Sequence, residues 1–182
     1  MLDVFSAFGL SSAAGLNAYL PLLIVGLLAR YTDLITLDSP WDALTNPWVL
    51  GVLAILLLIE MTADKIPAVD TINDGIQTFI RPLAGAILFA ASAQVITDVH
   101  PVLSMVSGLL IAGGVHAVKA TARPVVTATT GGMGNPVVSV AEDVAAATIT
   151  VLAIILPLLT GIALLVLLFF TLRWLRRRRR VA

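Results

Sequence analysis

Long apolar runs separated by short polar stretches make up most of this chain. The runs cover roughly Ala13 to Ala29, Pro47 to Ala63, Leu83 to Thr97, Pro101 to Val118 and Val144 to Leu172. Such runs predict membrane-spanning helices, which need about 20 predominantly apolar residues. The last run contains Pro157 and exceeds the length that a ~30 Å hydrocarbon core requires. It therefore predicts either one kinked helix or a hairpin of two short helices.

Two polar stretches interrupt this pattern. From Asp64 to Pro82, apolar residues recur at helical spacing with polar residues on the other side, which predicts an amphipathic helix at the membrane surface or dipping into it. From Lys119 to Asp143, threonines, glycines and prolines disfavour a continuous helix. The second stretch predicts a broken or re-entrant segment, which membranes tolerate only where it is buried in protein or lines a wet cavity.

Matched spacing around two lysines suggests an internal duplication. Lys65 and Lys119 each follow, at the same distance, a proline that begins an apolar run. Such a duplication would have halves at 10–82 and 83–156, and many small transporters are built from repeats of this kind. The alternative to a duplication is that the two stretches match by chance, because both are apolar sequences of low complexity. The chain is predicted to form one membrane domain, 1–175, followed by a basic tail, 176–182.

The composition indicates that the surrounding solvent is lipid. The 182 residues are 59% hydrophobic and 12% charged, whereas soluble domains are about 45–50% apolar and about 25% charged. The chain has no cysteine, which excludes disulfides and thiolate metal sites. We therefore predict an all-α, polytopic transmembrane helical bundle with about five to six membrane segments, some of them broken or re-entrant.

Basic residues are concentrated at the C-terminus. Six of the 11 lysines and arginines lie in the last ten positions, as Arg173 and Arg176 to Arg180. Because positive loops favour the cytoplasmic side, the C-terminus is predicted to be cytoplasmic and the protein integral to the inner membrane. Six crossings with both ends inside give the strongest charge bias, and five crossings remain an alternative. The arginines are interpreted as a contact for anionic lipids rather than for nucleic acid.

Ionisable residues away from the tail gather around the two polar stretches. An ionisable group at depth costs roughly 2.5–3.5 kcal/mol or more unless it is paired or hydrated, so it is a functional candidate. We predict a substrate-binding site formed by Asn17, Glu60, Asp64, Lys65, Asp70, Arg81, Lys119, Arg123, Asn135, Glu142 and Asp143. The competing interpretation is that the charged residues lie at helix ends and snorkel to the interface. For Asn17 the alternative is a hydrogen bond between helices.

Other kinds of chemistry find little support. The glycine-rich run Thr129 to Pro136 has a backbone suited to an anion, or is simply a flexible loop. No Gly-Lys-Ser/Thr follows it, so it is not a P-loop. His100 and His116 form no HExxH pattern, and neither a metal nor a cofactor is predicted. No nucleophile–base pair can be named, so we do not predict an enzyme.

Several polar strings resemble a known family. These strings are Gly15 to Pro21, Glu60 to Asp70, Ile80 to Gly85, and Gly131 to Asp143. Over nearly its whole length the chain resembles an uncharacterised group of small bacterial integral membrane proteins, the domain of unknown function four-one-two-six. The resemblance implies a polytopic membrane protein and supplies no substrate.

Two hypotheses about function follow. The first is a small transporter or lipid translocase that handles an anionic substrate and is coupled to protons through Glu60 or Glu142. The alternative is a non-transporting membrane scaffold or assembly factor whose buried charges only fix helix packing. Membrane lipids, an unknown small-molecule or lipid substrate and a second copy of the chain are the predicted partners.

Overall fold

A computed structural model describes residues 4–93 and 100–178. All the regular secondary structure in this part of the chain is helical. The helices are α1 (Val4–Leu16), α2 (Tyr19–Tyr31), a short 3₁₀ helix (Trp41–Thr45), α3 (Pro47–Ala63), α4 (Pro67–Ala93), α5 (Pro101–Thr130), α6 (Asn135–Ile155) and α7 (Pro157–Arg178). Side chains at 67, 68, 70, 71, 93 and 174–178 lie outside the description. The predicted all-α class is confirmed.

Prolines begin four of the described helices, and in α3 and α5 the sequence predicts this start. Pro47 and Pro101 occupy the first turns of α3 and α5, where the missing N–H is no loss. The side chains of Asn46 and His100 cap these helices, each accepting the backbone N–H two residues further on, at 2.9 and 3.2 Å. Both starts are therefore specified locally by the sequence.

Helix α1 lies between four other helices and contacts α4, α5, α6 and α7. Its buried residues are serine, alanine and glycine with one larger residue, Leu10. Small residues let helices approach closely in a membrane. A Cβ atom on Gly15 would lie only 2.6 Å from the carbonyl oxygen of Ala112 in α5, and the hydroxyl of Ser11 donates to the carbonyl of Gly85 in α4 at 3.0 Å.

Helices α4 and α5 cross in direct backbone contact. A Cβ atom on Gly85 would lie 2.7 Å from the carbonyl oxygen of Gly108, and one on Gly108 would overlap the carbonyl oxygen of Gly85. No side chain larger than hydrogen fits without a shift of backbone. Arg81, one turn before Gly85, is thereby held against α5.

Three helices are long and apolar enough to cross a membrane, which indicates a membrane protein. They are Ile72–Ser92, Pro101–Thr130 and Asn135–Ile155. The shorter apolar helices are Val4–Leu16, Tyr19–Tyr31, Pro47–Ala63 and Pro157–Arg173. The described residues thus show fewer clear spans than the five to six predicted. The first apolar run is divided at Asn17 and Ala18, which leaves two short helices. The last run is divided at Leu156, which leaves α7 with a short apolar segment, Pro157–Arg173.

The predicted surface helix is not a separate element. Helix α4 runs through Pro82 and joins this stretch to the third apolar run. Its apolar side chains, such as Ile76 and Phe79, are exposed on the outside of the bundle, whereas Gln77 and Arg81 are buried. The helical periodicity is present, but the polar face is turned towards protein, as expected where the solvent is lipid.

The predicted broken segment from Lys119 to Asp143 is wrong over most of its length. Helix α5 continues to Thr130 in spite of Pro124. Threonine hydroxyls on its last turns donate to carbonyls one turn earlier, which satisfies them within the helix. The break is confined to a short turn that begins at Gly131, whose φ of 61° is the left-handed conformation that favours glycine.

The internal duplication stays a prediction. Both units begin with a capped proline, but α3 ends at Ala63, whereas α5 continues well past Lys119. The likeness of the two units therefore stops near their lysines. The predicted basic tail begins within α7, and residues 179–182 lie outside the described residues.

Candidate functional site

Ionisable side chains from α3, α4, α5 and α6 meet in one buried group, which we call the charge cluster. Its three cations are Arg81, Lys119 and Arg123, and its five carboxyls are Glu60, Asp64, Asp74, Glu142 and Asp143. Arg81 lies near the middle of the candidate span Ile72–Ser92. Charges at such depth persist when they are paired, so the geometry of the pairs decides what the cluster can do.

Arg81 joins α3, α4 and α5. Its guanidinium is fully buried, and Nη2 donates to Oε1 of Glu60 at 2.9 Å, while Nη1 lies 3.5 Å from Oδ1 of Asp74. Nη1 also lies 2.9 Å from Nδ1 of His116. Because arginine can only donate, Nδ1 of His116 accepts this bond. The imidazole proton then sits on Nε2, which faces the hydroxyl of Thr78 at 3.0 Å.

Asp64 follows α3, outside the candidate spans, and binds the cations of α5. Its Oδ2 lies 3.1 Å from Nζ of Lys119 and 3.2 Å from Nη2 of Arg123, and its Oδ1 accepts the amide of Asn73 at 2.8 Å. Burial alone would raise the pKa of the Asp64 carboxyl. The charges of Lys119 and two neighbouring arginines outweigh burial and hold this pKa below its ordinary value. Asp64 is therefore an anion at neutral pH.

Glu142 holds the same two cations from the opposite side. Its Oε2 lies 3.1 Å from Nζ of Lys119 and 2.6 Å from Nη2 of Arg123. The Glu142 side chain is 15% exposed, whereas that of Asp64 is 3% exposed. Two carboxylates thus share one pair of cations, and Glu142 is the accessible member.

The break between α1 and α2 contacts the same cluster. The carbonyl oxygen of Leu16 accepts a hydrogen bond from Nζ of Lys119 at 3.1 Å. Nδ2 of Asn17 donates to Oδ1 of Asp143 at 2.9 Å, and Oδ1 of Asn17 accepts the N–H of Leu20 at 3.0 Å. Asn17 therefore satisfies the first turn of α2 while it reaches α6. Discontinuous helices of this kind line the binding sites of many transporters.

Several buried polar atoms have no hydrogen-bond partner among the described residues. They include Oε2 of Glu60, Oε1 of Gln77, Oγ of Ser139 and Oδ2 of Asp143. Each such atom costs about 1–3 kcal/mol. The carboxyls also outnumber the cations in the described part of the cluster. The charge cluster is therefore incompletely compensated, both in charge and in hydrogen bonding.

Most of the predicted site residues meet in the charge cluster, whereas Asn135 and Lys65 do not, and one further residue cannot be placed. Asn135 is buried but donates through Nδ2 to the hydroxyl of Thr127 at 3.0 Å, apart from the ion pairs. Lys65 is half-buried and donates to the carbonyl of Met61 at 2.5 Å. Asp70 lies on α4, but its side chain is outside the described residues.

The site prediction missed Asp74, which belongs to the charge cluster, and His116, which contacts Arg81. The sequence carries a signal for both residues. His116 precedes Lys119 by three positions, and Asp74 precedes Arg81 by seven. Residues at these spacings share one helix face. Extending each helix face from its lysine or arginine would have included them.

Comparison with known proteins identifies a family but no activity. The sequence model of a family described as a domain of unknown function (DUF4126) matches residues 4–177. No curated protein and no solved structure matches the chain. Since the match spans all the helices that form the charge cluster, the cluster lies within the matched region.

Proposed function

The chain belongs to the DUF4126 family, and we propose that it is a small integral membrane transporter, coupled to protons and handling an anionic substrate. The observation that carries this proposal is the arrangement of Lys119 and Arg123, which are shared between a buried carboxylate, Asp64, and an accessible one, Glu142. The accessible partner can be exchanged for a ligand while the buried one keeps the cations in place.

An incoming anion would compete with Glu142 for the two cations. A phosphate or carboxylate group offers oxygens equivalent to Oε2 of Glu142, and arginine binds such groups through several donors at once. A bound anion also adds negative charge where carboxyls already outnumber cations. Because like charges at short range raise the affinity of a carboxyl for protons, anion binding would be accompanied by proton uptake.

The proposal includes a topology. The divided pair α1–α2 would form one crossing, and α3 to α7 would add five more, which gives about six segments with both ends cytoplasmic. The C-terminal arginines would then face the anionic inner leaflet of the cytoplasmic membrane. Membrane lipids and a second copy of the chain are the proposed partners, and we propose no enzymatic reaction.

Reconstitution of the full chain into liposomes tests the proposal. A pH-sensitive dye in the lumen would report proton entry after external addition of inorganic phosphate, or of a short-chain dicarboxylate, at acidic external pH. A parallel assay with fluorescent phosphatidylglycerol and an external quencher would reveal movement of a lipid headgroup instead. We expect anion-dependent proton entry in one of these preparations or lipid movement in the other.

Two lysine variants make this test specific. Lys119→Gln removes a cation of the charge cluster, whereas Lys65→Gln removes a lysine that contacts only a backbone carbonyl in the described structure. We expect Lys119→Gln to abolish the flux and Lys65→Gln to retain it. Equal loss in both variants, or flux that survives in Lys119→Gln, would refute the assignment.

One observation favours a second candidate, the scaffold or assembly factor. Each cation of the charge cluster already has a carboxylate partner within the chain, as in a group that only fixes helix packing. Glu60→Gln distinguishes the two candidates, because it removes the charged partner of Arg81 but keeps the shape of the side chain. In a transporter this change should alter the anion-dependent flux. If the chain moves neither anion nor lipid, and its Glu60→Gln variant folds normally, the protein would be a scaffold.

A further inference from the structure

Asp143 differs from the other carboxyls of the charge cluster. It is 7% exposed, and its Oδ1 accepts the amide of Asn17 at 2.9 Å, while its Oδ2 has no partner among the described residues. No described cation lies within ion-pair distance of it, in contrast to Glu60, Asp64 and Glu142. A buried, unpaired carboxylate is strongly disfavoured, and binding a proton removes the charge.

We propose that Asp143 is the site that binds the coupling proton, an assignment that rests on the proposed function. A proton on Oδ2 converts an unsatisfied acceptor into a donor, while Oδ1 keeps its bond to Asn17. Ser139 lies one turn earlier on the buried face of α6, is fully buried, and its hydroxyl also lacks a partner in the described structure. The two groups are not hydrogen-bonded to each other in the described structure, so Oδ2 of Asp143 remains open to a proton.

The ligand is a proton rather than a metal cation. Asn17 turns its amide N–H, a donor, towards Asp143, and the N–H of Leu20 occupies its carbonyl oxygen. A hard cation such as Na⁺ requires oxygen ligands, which this orientation does not offer. Within the described residues, no set of three or more histidine, cysteine or acidic side chains is placed to hold a metal ion.

The two-residue break in the first helix pair links the proton site to the anion site. Leu16 contacts Lys119, a cation proposed to hold the anion, and Asn17 contacts Asp143. Loss of the proton turns Asp143 into an anion that binds the Asn17 amide more strongly. Any resulting shift of Asn17 moves the neighbouring carbonyl of Leu16. This movement changes the hydrogen bond between that carbonyl and Lys119. Proton binding and anion binding are thereby coupled through the break.

The charged groups around Asp143 leave it the freest of the cluster carboxyls. Helix α1 has no ionisable side chain, α2 carries Arg30 at its far end, and the arginines of α7 begin at Arg173. On α5, Lys119 and Arg123 bind Asp64 and Glu142, and His116 binds Arg81. The neighbour of Asp143 on α6, Glu142, is a second carboxyl and not a cation.

Infrared difference spectroscopy of the full chain in lipid bilayers tests this assignment without any transport. Acidification should produce the carbonyl band of a buried, protonated carboxylic acid. We expect Asp143→Asn to lose the band and the adjacent Glu142→Gln to retain it. Asp143→Glu should move the band. Since Asn has the shape of a protonated Asp, Asp143→Asn should fold, which circular dichroism would verify.

The outcomes separate this inference from the proposed function. A band that persists in Asp143→Asn, or that disappears on addition of Na⁺ at constant pH, would overturn Asp143 as the proton site. In liposomes, Asp143→Asn should lose anion-dependent proton entry. If no substrate is transported but the Asp143 band is present, the proton site stands and the transporter proposal fails.

Discussion

Removal of Arg81 should destabilise the protein far more than removal of an exposed arginine. The guanidinium is fully buried and is the only described ion-pair partner of Glu60, whose side chain is 1% exposed. Arg81→Met keeps much of the side-chain volume but leaves Glu60 as an uncompensated buried charge. Breaking a buried pair in this way costs about 3–5 kcal/mol.

A second change should recover much of that loss. Glu60→Leu alone leaves Arg81 with Asp74 at 3.5 Å and Asp64 at 3.7 Å, so its cost should be smaller, about 1–3 kcal/mol. In the double variant neither charge remains, and replacing a whole buried pair by apolar groups is often nearly neutral. Asp64 keeps its two α5 cations, and Asp74 is 16% exposed and partly hydrated. The coupling energy between the two sites should therefore be about 3 kcal/mol or more, at the upper end of the range for residues in contact.

Equilibrium unfolding in mixed micelles, followed by circular dichroism, would supply the four free energies of unfolding. Arg30→Met is the matched control, because Arg30 is exposed and donates to a single backbone carbonyl, that of Thr45. Its cost should stay within about 1.5 kcal/mol. If the losses in Arg81→Met and Glu60→Leu simply add in the double variant, the pair is not the coupled, buried unit described above, and the reasoning fails.

Two further predictions concern packing and pH. Gly108→Leu should destabilise the chain by about 1–3 kcal/mol through overpacking at the α4–α5 crossing. Gly114→Leu is the control and should be nearly neutral, because a Cβ atom added there meets nothing within 4 Å. Equal free energies of unfolding for the two variants would contradict the close crossing of α4 and α5. The lowered pKa of Asp64 means that its contribution to stability is present above the ordinary pKa of an aspartate and is lost as the pH falls through the lowered value. The difference in unfolding free energy between wild type and Asp64→Asn should shrink on acidification, and a difference that is independent of pH would argue against the ion pairs of Asp64.

Local signals in the sequence predicted helix starts well and helix continuity poorly. Pro47 and Pro101 mark starts because their fixed φ and missing N–H suit only the first turn. Pro82 and Pro124 lie inside helices, and nothing local distinguishes them from breakers. Their helices continue because neighbouring helices pack against them, and such tertiary support is not visible in a short window of sequence.

The members of the charge cluster were easier to predict than their pairing. Residues such as Glu60 and Lys119 stand out because charge is rare in apolar runs. Their partners depend on how the helices cross, and that is set by contacts between residues far apart in the chain, such as Gly85 and Gly108. For the same reason Lys65, which has the same spacing from a proline as Lys119, was predicted for the site but lies outside the cluster.

The orientation of α4 shows how composition and periodicity have to be combined. Periodicity identifies which residues share a face, but it does not say whether water or protein lies against the polar face. In a chain that is 59% hydrophobic the surrounding solvent is lipid. A polar face bearing Arg81 then has no favourable environment outside the bundle, and it must be buried against other charged helices. Hence α3, which carries Glu60, and α5, whose His116, Lys119 and Arg123 recur at helical spacing, supply the partners that α4 requires, and the contacts of Arg81 follow from that requirement.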